Sequence, residues 1–254
     1  MEIVKPEPLV IGGRAHYTLT SYEPVSVEVM VHDITDEDVE QAIRAAIVQM
    51  GGGPERLNDD AWIRDHFEGV HSARELRPAM REELEEMNEE LVERQLATAC
   101  AAALAERLMQ SVAGEQVAQV RQDIEQTFVM TLQQQGMSLD TFIAQSGGSR
   151  AQMDAMFDAQ ARETAAQEAA VDAWAEEKGV LVSDEELPEV LGIPQDQSKL
   201  MMESLASAGQ LEKLRRTAVR TKALGMIMDE CECSYVHDGA SSGNKSDHPH
   251  LKLV

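Results

Sequence analysis

Residues 133–149 read QQQGMSLDTFIAQSGGS and interrupt a chain that otherwise consists mostly of long helical patterns. Gly136 ends the pattern before it, since glycine is the usual residue just after a helix. Ser138 and Thr141 resemble an N-cap pair and predict a new helix of about two turns. A Gly-Gly pair then ends that helix. The stretch therefore predicts a corner, at which a short helix joins two long ones.

Long helical patterns lie on both sides of this corner. Apolar residues recur at helical spacing between Gly114 and Gly136. A capping-box pattern from Ser149 to Gln152 begins another long helix, which Gly179 ends. Neither long helix buries its apolar stripe alone, so the two are predicted to fold back on one another.

Two shorter helices are predicted nearer the N-terminus. Thr35 and Asp38 form a capping-box pattern, after which Val39 and Ile43 repeat at four-residue spacing. The sequence GGGP ends this helix after about three to four turns. A short helix follows, with Asn58 as its predicted N-cap.

A long helix is predicted from residue 72 onward. The pattern from Ser72 to Glu75 marks its start, with Pro78 in the first turn as the alternative. The face opposite its apolar stripe is crowded with glutamate, and the glutamates from Glu82 to Glu93 are most simply a solvated helix face. The predicted apolar stripe consists of Leu76, Met80, Leu84, Met87, Leu91, Leu96, Cys100, Leu104 and Leu108.

Three more helices and a polar tail are predicted beyond residue 179. A capping-box pattern at residues 183–186 begins the first, residues 200–205 belong to the second, and the last follows Gly209. Residues 234–254 are mostly polar and rich in glycine and serine, which predicts a disordered tail.

Period-2 alternation identifies one strand region. The segment PVSVEVMVHD at residues 24–33 places its four valines on one side of an extended chain. The residues HYTLT before it are also rich in β-formers. No other stretch predicts a strand.

The composition of the 254-residue chain favours helices and argues against several partners. Hydrophobic residues make up 43% but aromatic residues only 4%, so a mainly α fold is expected. The formal charge of −24 repels nucleic acid and anionic lipid. No apolar run is long enough to span a bilayer, no signal peptide is visible, and the three cysteines fit a reducing compartment. A cytoplasmic protein without nucleic-acid or membrane partners is expected.

Four stretches, in the same order, resemble the C-terminal domain of trigger factor, the bacterial chaperone that meets nascent chains. LNDDAWIRDHFEGVHSARELRPAMREELEE is similar to the family's acidic short helix and Glu-rich helix, although SAREL is only a near match to its SxEEL start. LQQQGMSLDTFIAQSGGSRAQM is similar to its arm corner, AEEKGVLVSDEEL to the entry of its second arm, and ASAGQLEKLRRTAVRTKALGMIM to its closing helix. The resemblance implies an elongated multi-helix domain with helical arms and a small N-terminal β element.

The same resemblance sets the expected domain boundaries. In the family, a strand similar to EPVSVEVMVHDITDEDVEQAI connects the ribosome-docking domain to the prolyl isomerase domain. Here only GGGPER separates that region from LNDDAW, and a domain needs at least ~50 residues, so the isomerase domain is expected to be missing. The family's docking loop has no counterpart, which leaves ribosome binding without a predicted site. The expected parts are a strand and linker remnant at 1–33, a helical chaperone domain at 34–233 and the tail at 234–254.

The resemblance implies an ATP-independent chaperone that holds unfolded or nascent polypeptides in a helical cradle. Flexible methionine side chains suit varied partners, and the chain has 14 of them. The alternative for each such residue is an ordinary place in a helix–helix core, and only exposed apolar surface favours binding. The candidates for client contact near the corner are Phe128, Met130, Met137, Phe142, Met153, Met156 and Phe157.

Two other functions stay open at this stage. An acidic helical adaptor or dimerisation module with one fixed partner, including a homodimer, fits the Ala-rich helices equally well. Prolyl isomerisation, as in full-length family members, is disfavoured by the missing insert.

No catalytic residue or cofactor is predicted, since carboxylates are spread along the helices and no phosphate-binding loop occurs. No metal is predicted, because Cys231, Cys233 and the tail histidines match no common zinc spacing, and Cys100 is expected to be a small buried side chain.

Overall fold

The computed structural model describes residues 5–11, 14–194, 201–202 and 209–238, and most of these are helical. The predicted mainly α class is confirmed. The helices are α1 (Asp36–Gln49), a 3₁₀ helix (Pro54–Asn58), α2 (Asp60–His66), α3 (Ala73–Glu106), α4 (Gly114–Gln134), α5 (Leu139–Ser146), α6 (Arg150–Lys178), α7 (Leu187–Val190) and α8 (Leu211–Glu230). The strands are β1 (Leu9–Ile11), β2 (Arg14–His16), β3 (Ser26–Val31) and β4 (Glu232–His237).

The chain divides into two compact units. The first unit comprises Met1–Val27 and Ala97–Glu232, and the second comprises Glu28–Leu96 and Cys233–Val254. Helix α3 therefore contributes its N-terminal part to the second unit and its C-terminal part to the first.

The core of the second unit forms from α1, α2 and the start of α3. Thr35 caps α1 as predicted, because its hydroxyl accepts the Asp38 N–H while the Asp38 carboxylate accepts the Thr35 N–H. Apolar side chains at four-residue spacing on α1 then face inward, where they meet Ile63 of α2. The buried cluster consists of Val39, Ile43, Ile47, Ile63, Val70, Leu76 and Met80.

The start of α2 differs from the sequence prediction, whereas α3 begins directly after Ser72, its predicted N-cap. Asp59 caps α2 through its carboxylate, whereas Asn58, the predicted cap, closes the preceding 3₁₀ helix. At α3 the Glu75 carboxylate accepts the N–H of His71, one residue before the predicted cap. Pro78 lies inside α3 and not in its first turn. Asn58 and Asp59 have similar capping chemistry, so the sequence placed the cap of α2 one residue too early.

The apolar stripe of α3 is only partly buried. Leu76 and Met80 belong to the core of the second unit. Met87 and Leu91 continue the same helical face, yet they are 59% and 48% exposed. Helical periodicity predicted the stripe correctly, but it did not predict that the stripe continues past its packing partners.

In the first unit, α4 and α6 fold back on one another, as predicted. Val120 packs on Ala161 and Ala165, while Glu125, further along α4, pairs with Arg150 at the start of α6. Later residues of α4 therefore contact earlier residues of α6, so the two helices run antiparallel.

The short helix α5 joins α4 to α6. The Ser138 hydroxyl caps it by accepting the Thr141 N–H, and Gly147 ends it in the left-handed conformation at φ 69°. The Ser149 to Gln152 capping box then begins α6. The predicted corner is confirmed.

Helix α6 also packs against α8, and α7 packs against α8 in turn. Arg220 of α8 donates to both carboxylate oxygens of Asp172 at 2.6 and 2.7 Å, and it pairs with Glu168 at 2.7 Å. Lys222 pairs with Glu186, just before α7, at 3.1 Å. Both α6 and α8 carry fully buried alanines, whose small side chains allow helices to approach closely.

Three strands were not predicted from the sequence. β1 and β2 form an antiparallel hairpin in which Leu9 is opposite His16, and β3 pairs with β4. Three-residue strands are too short to show a period-2 pattern, and β4 depends on a pairing with residues about 200 positions away. Residues 234–237 belong to β4, where the disordered tail was expected to begin. The rest of that tail, and most of the helix predicted at residues 200–205, lie outside the described residues.

Candidate functional site

Three aromatic rings hold the corner formed by α4, α5 and α6. The Phe128 ring of α4 lies 5.4 Å from the Phe142 ring of α5 and 5.6 Å from the Phe157 ring of α6, both in edge-to-face geometry. Such pairs contribute more than their buried area alone. We call these three side chains the corner cluster. One ring from each helix fixes all three helices relative to each other.

The seven residues predicted for client contact differ in exposure. Phe157 is 1% exposed, so it supports the corner from inside and presents no surface. Met130 and Met156 are 52% and 46% exposed, one on α4 and one on α6. The half-buried members of the set are Phe128, Met137, Phe142 and Met153.

A shallow open groove of about 540 Å³ runs along α4 beside Met130. Sequence reasoning did not identify it, although glutamines at helical spacing were a readable signal. Its lining mixes an exposed thioether with side-chain amides, which both donate and accept hydrogen bonds. The lining residues are Gln122, Glu125, Gln126, Val129, Met130 and Gln133.

An ion network fixes α4 to α6 next to the corner cluster. Arg121 of α4 donates to Asp158 at 2.6 Å, Asp154 at 3.1 Å and Glu125 at 2.9 Å. Arg150 of α6 pairs with Glu125 at 2.9 Å. The hydrogen bond that Arg121 donates to Asp158 raises the pKa of Arg121, and the nearby carboxylates add to this effect. The network leaves the methionines outside it.

Other exposed apolar side chains lie away from the corner. In the first unit, all three residues of β1 are more than half exposed: Leu9 66%, Val10 62% and Ile11 57%. In the second unit, the exposed apolar surface includes Met87 and Leu91 of α3. None of these five was predicted as a contact residue.

The glutamates of α3 form the predicted solvated face. Glu82, Glu83, Glu86, Glu89 and Glu93 are all exposed. Exposed carboxylates of one sign keep a surface hydrated and repel similar surfaces.

The described residues give no sign of a metal or membrane site. Within them, no three or more His, Cys, Asp and Glu side chains are grouped to hold a metal ion. Likewise, no helix in the described part of the chain is long and apolar enough to cross a bilayer. Cys100 is fully buried, as expected for a small core side chain.

Comparison with known proteins identifies one protein family. The family model described as the C-terminus of the bacterial trigger factor protein matches residues 72–229, which is more than half of the chain. A crystal structure of a hypothetical Mycoplasma protein is similar over 87% of this chain and 90% of its own, with 10% sequence identity and a TM-score of 0.42. Similarity at that level shows neither a shared fold nor a shared function. No curated protein matches the chain.

Proposed function

The chain belongs to the trigger factor C-terminal family, and on that premise we propose that it holds unfolded or nascent polypeptides at its helical corner, without nucleotide and without covalent chemistry. The family as a whole supports a chaperone-type role that involves unfolded polypeptide. The particular surface and the holding mechanism are our proposal. Nothing in the comparisons supports prolyl isomerase activity.

The exposure of Met130 and Met156 is the observation that carries the proposal. Each is about half exposed, although each lies within two residues along the chain of a ring of the corner cluster. Methionine is flexible and polarisable, so it adapts to segments of different shape. A rigid corner with two adaptable apolar side chains suits weak contacts with many clients.

The groove beside Met130 adds a polar component to this surface. An unfolded client carries unpaired backbone N–H and C=O groups, which need hydrogen-bond partners wherever they leave water. The amides of Gln122, Gln126 and Gln133 supply both donors and acceptors there. Such contacts do not depend on the client's sequence.

Charge explains why bound clients stay in solution. The formal charge of −24 keeps chaperone molecules apart even when each carries an apolar client. Weak contacts at several points also allow release without an energy source, because each contact dissociates independently.

Homodimerisation and a cytoplasmic location stay predictions.

The test measures how well the protein delays aggregation of a chemically denatured client diluted into buffer. Light scattering is recorded for the parent and for the double variant Met130→Gln, Met156→Gln, which keeps side-chain length and helix propensity. The matched control is Met109→Gln, Met226→Gln, because these methionines are 49% and 37% exposed and lie in the same unit. Circular dichroism checks that each variant is folded.

We expect the parent to suppress scattering at stoichiometric ratios, the corner variant to lose at least half of that effect and the control to keep it. Equal losses in both variants would show that general apolar exposure, and not the corner, binds clients. Absence of suppression by the parent would contradict the proposed holding function itself.

A further inference from the structure

The tripeptide Val-His-Asp occurs twice in the chain, at residues 31–33 and 236–238. Strand β3 ends at Val31 and strand β4 ends at His237, so each copy lies at the end of one of two paired strands. The Asp238 N–H donates to the Val31 carbonyl oxygen at 3.2 Å. This backbone hydrogen bond holds the two copies side by side within the second unit.

Each histidine pairs with the aspartate of the other copy. The Nδ1 of His32 lies 2.5 Å from the Oδ2 of Asp238, and the Nδ1 of His237 lies 2.6 Å from the Oδ1 of Asp33. The Asp33 N–H also donates to the other carboxylate oxygen of Asp238 at 3.2 Å. Because an ionised carboxylate only accepts hydrogen bonds, each imidazole nitrogen is the donor. We call these four side chains the reciprocal clamp.

The second nitrogen of His32 faces a third carboxylate. Its Nε2 lies 3.4 Å from the Asp38 carboxylate of α1. From α3, the neutral amide of Asn88 donates to the His32 carbonyl oxygen at 2.9 Å, while the nearby cation Arg81 pairs with Asp36 at 2.5 Å. The charges that contact the imidazole are therefore carboxylates, which favour its protonated form.

We propose that the reciprocal clamp is a pH-sensitive device, which fastens the end of β4 to β3 when its imidazoles are protonated and loosens that end as they lose their protons. A protonated imidazole forms a charge-assisted hydrogen bond with a carboxylate, whereas a neutral one forms only an ordinary hydrogen bond. Histidine changes its charge near neutral pH, which suits it to such switches. The client surface lies in the first unit, so this inference does not rest on the proposed function.

One of the two pairs gives the direction of the pH dependence. The hydrogen bond with Asp238 raises the pKa of His32 above its ordinary value of 6.5, and the same hydrogen bond lowers the pKa of Asp238 below 3.8. Because the folded pKa of His32 is the higher one, its stabilisation is complete below about pH 6.5 and is lost as the pH rises through the raised value. The clamp is therefore fastened in mild acid and loosened at higher pH.

The clamp acts on a strand end and not on the whole unit. Its four side chains are between 20% and 49% exposed, so each ion pair alone is weak. Both pairs and one backbone hydrogen bond nevertheless act on the same end of β4. A strand end opens at a much lower free energy than a core, so modest changes in two pairs are enough to change how often it opens.

The test follows hydrogen exchange of the full chain by mass spectrometry at about pH 5.5 and about pH 8, on either side of the usual histidine range. Labelling times are scaled so that intrinsic exchange is equal at both pH values. We expect the peptide that contains β4 to exchange about threefold faster or more at the higher pH, because its end opens more often. A peptide from the middle of α6 should exchange equally at both.

The decisive variant is His32→Gln, His237→Gln, which removes both titrating rings but keeps a hydrogen-bond donor at each position. Its β4 peptide should exchange equally at both pH values. The matched control is His16→Gln, because His16 also pairs with a carboxylate, that of Glu176 at 3.1 Å, but lies in the first unit. This control should keep the pH dependence of the parent.

A second variant, Asp33→Asn, Asp238→Asn, removes the carboxylates instead and should also lose most of the dependence. Circular dichroism checks that each variant is folded. The proposal is overturned if the β4 peptide of the parent exchanges equally at both pH values, or if both double variants keep the dependence. It is also overturned if His16→Gln abolishes the dependence, or if the α6 peptide changes as much as the β4 peptide, since the effect would then not belong to the clamp.

Discussion

The helical corner and the α6–α8 interface both belong to the first unit, but they are held together in different ways. At the corner, three large aromatic rings meet, and the adjoining ion network of Arg121 is partly open to water. At the α6–α8 interface the helices carry small buried alanines, and Arg220 is only 20% exposed where it pairs with Asp172.

This difference separates a surface suited to contact from an interface suited to support. Large rings at the corner fill the space between three helices while leaving methionine side chains outside. Buried alanines leave no side chain free to adapt, so the α6–α8 packing has little tolerance for change. The contrast implies that mutations at the two places act through different mechanisms.

Removing the most buried ring of the corner cluster should have the largest effect. Phe157→Ala deletes a fully buried side chain that contacts another ring, so we expect a loss of about 3–5 kcal/mol in the free energy of unfolding. Phe142→Ala, at a half-buried position of the same cluster, should cost less than half as much. Urea denaturation of both variants measures the difference, and equal losses would show that the burial of Phe157 does not set its contribution.

Enlarging a buried alanine of α6 should produce the next largest effect. Ala169 is fully buried and adjoins Glu168, which binds Arg220 of α8. Ala169→Leu overfills this region and should cost about 1–3 kcal/mol. The matched control is Ala159→Leu, an exposed position on the same helix, which should leave the melting temperature nearly unchanged. Similar changes in melting temperature for the two variants would mean that α6 tolerates a larger side chain on both faces.

Removing the arginine should also lower stability more at the α6–α8 interface than at the corner. Arg220→Met leaves Asp172 and Glu168 without their partner in a partly buried place, which should cost about 1–3 kcal/mol. Arg121→Met removes a network that water reaches more easily, so its melting temperature should fall less. Thermal unfolding at low and at high salt gives the comparison. A larger fall in melting temperature for Arg121→Met than for Arg220→Met would contradict this expected order of the two regions.

The smallest predicted effect concerns acid stability near α7. The Ser183 N–H, and after it the Lys222 ammonium, lower the pKa of Glu186 from 4.5 to about 2. Because the folded pKa is the lower one, this stabilisation is complete above about pH 4.5 and is lost as the pH falls towards 2.

The measurement is the melting-temperature difference between the parent and Glu186→Gln at several pH values. We expect a small deficit for the variant at neutral pH that disappears as the pH approaches 2. Glu185→Gln, at the neighbouring exposed position, is the control and should show no such dependence. A deficit that persists at the lowest pH would show that shape, and not charge, explains it.

Local signals in the sequence were sufficient for most helices. The cap at Ser138, the box from Ser149 to Gln152 and the glycines that end helices act within a few residues, so they are readable without a fold. The strands β1 and β4 were missed because a strand is stabilised by its partner, and the partner of β4 lies at the other end of the chain.

The candidate site was predicted only in outline. Sequence spacing placed Phe128, Met130 and Phe157 near one corner, but it assigned the same role to all of them. The structure separates a buried support at Phe157 from an exposed side chain at Met130. The exposed strand β1 had no signal beyond its apolar composition.

The sequence alone determined the helical class, the positions of most helices and the corner at residues 133–149, because caps, glycine breaks and helical periodicity are local effects. Only the tertiary structure decided which members of an apolar stripe are buried. Met80 and Met87 lie on the same face of α3, yet the first is 8% exposed and the second 59%. Periodicity defines a face, but burial depends on whether another element covers it, and that element is specified elsewhere in the chain.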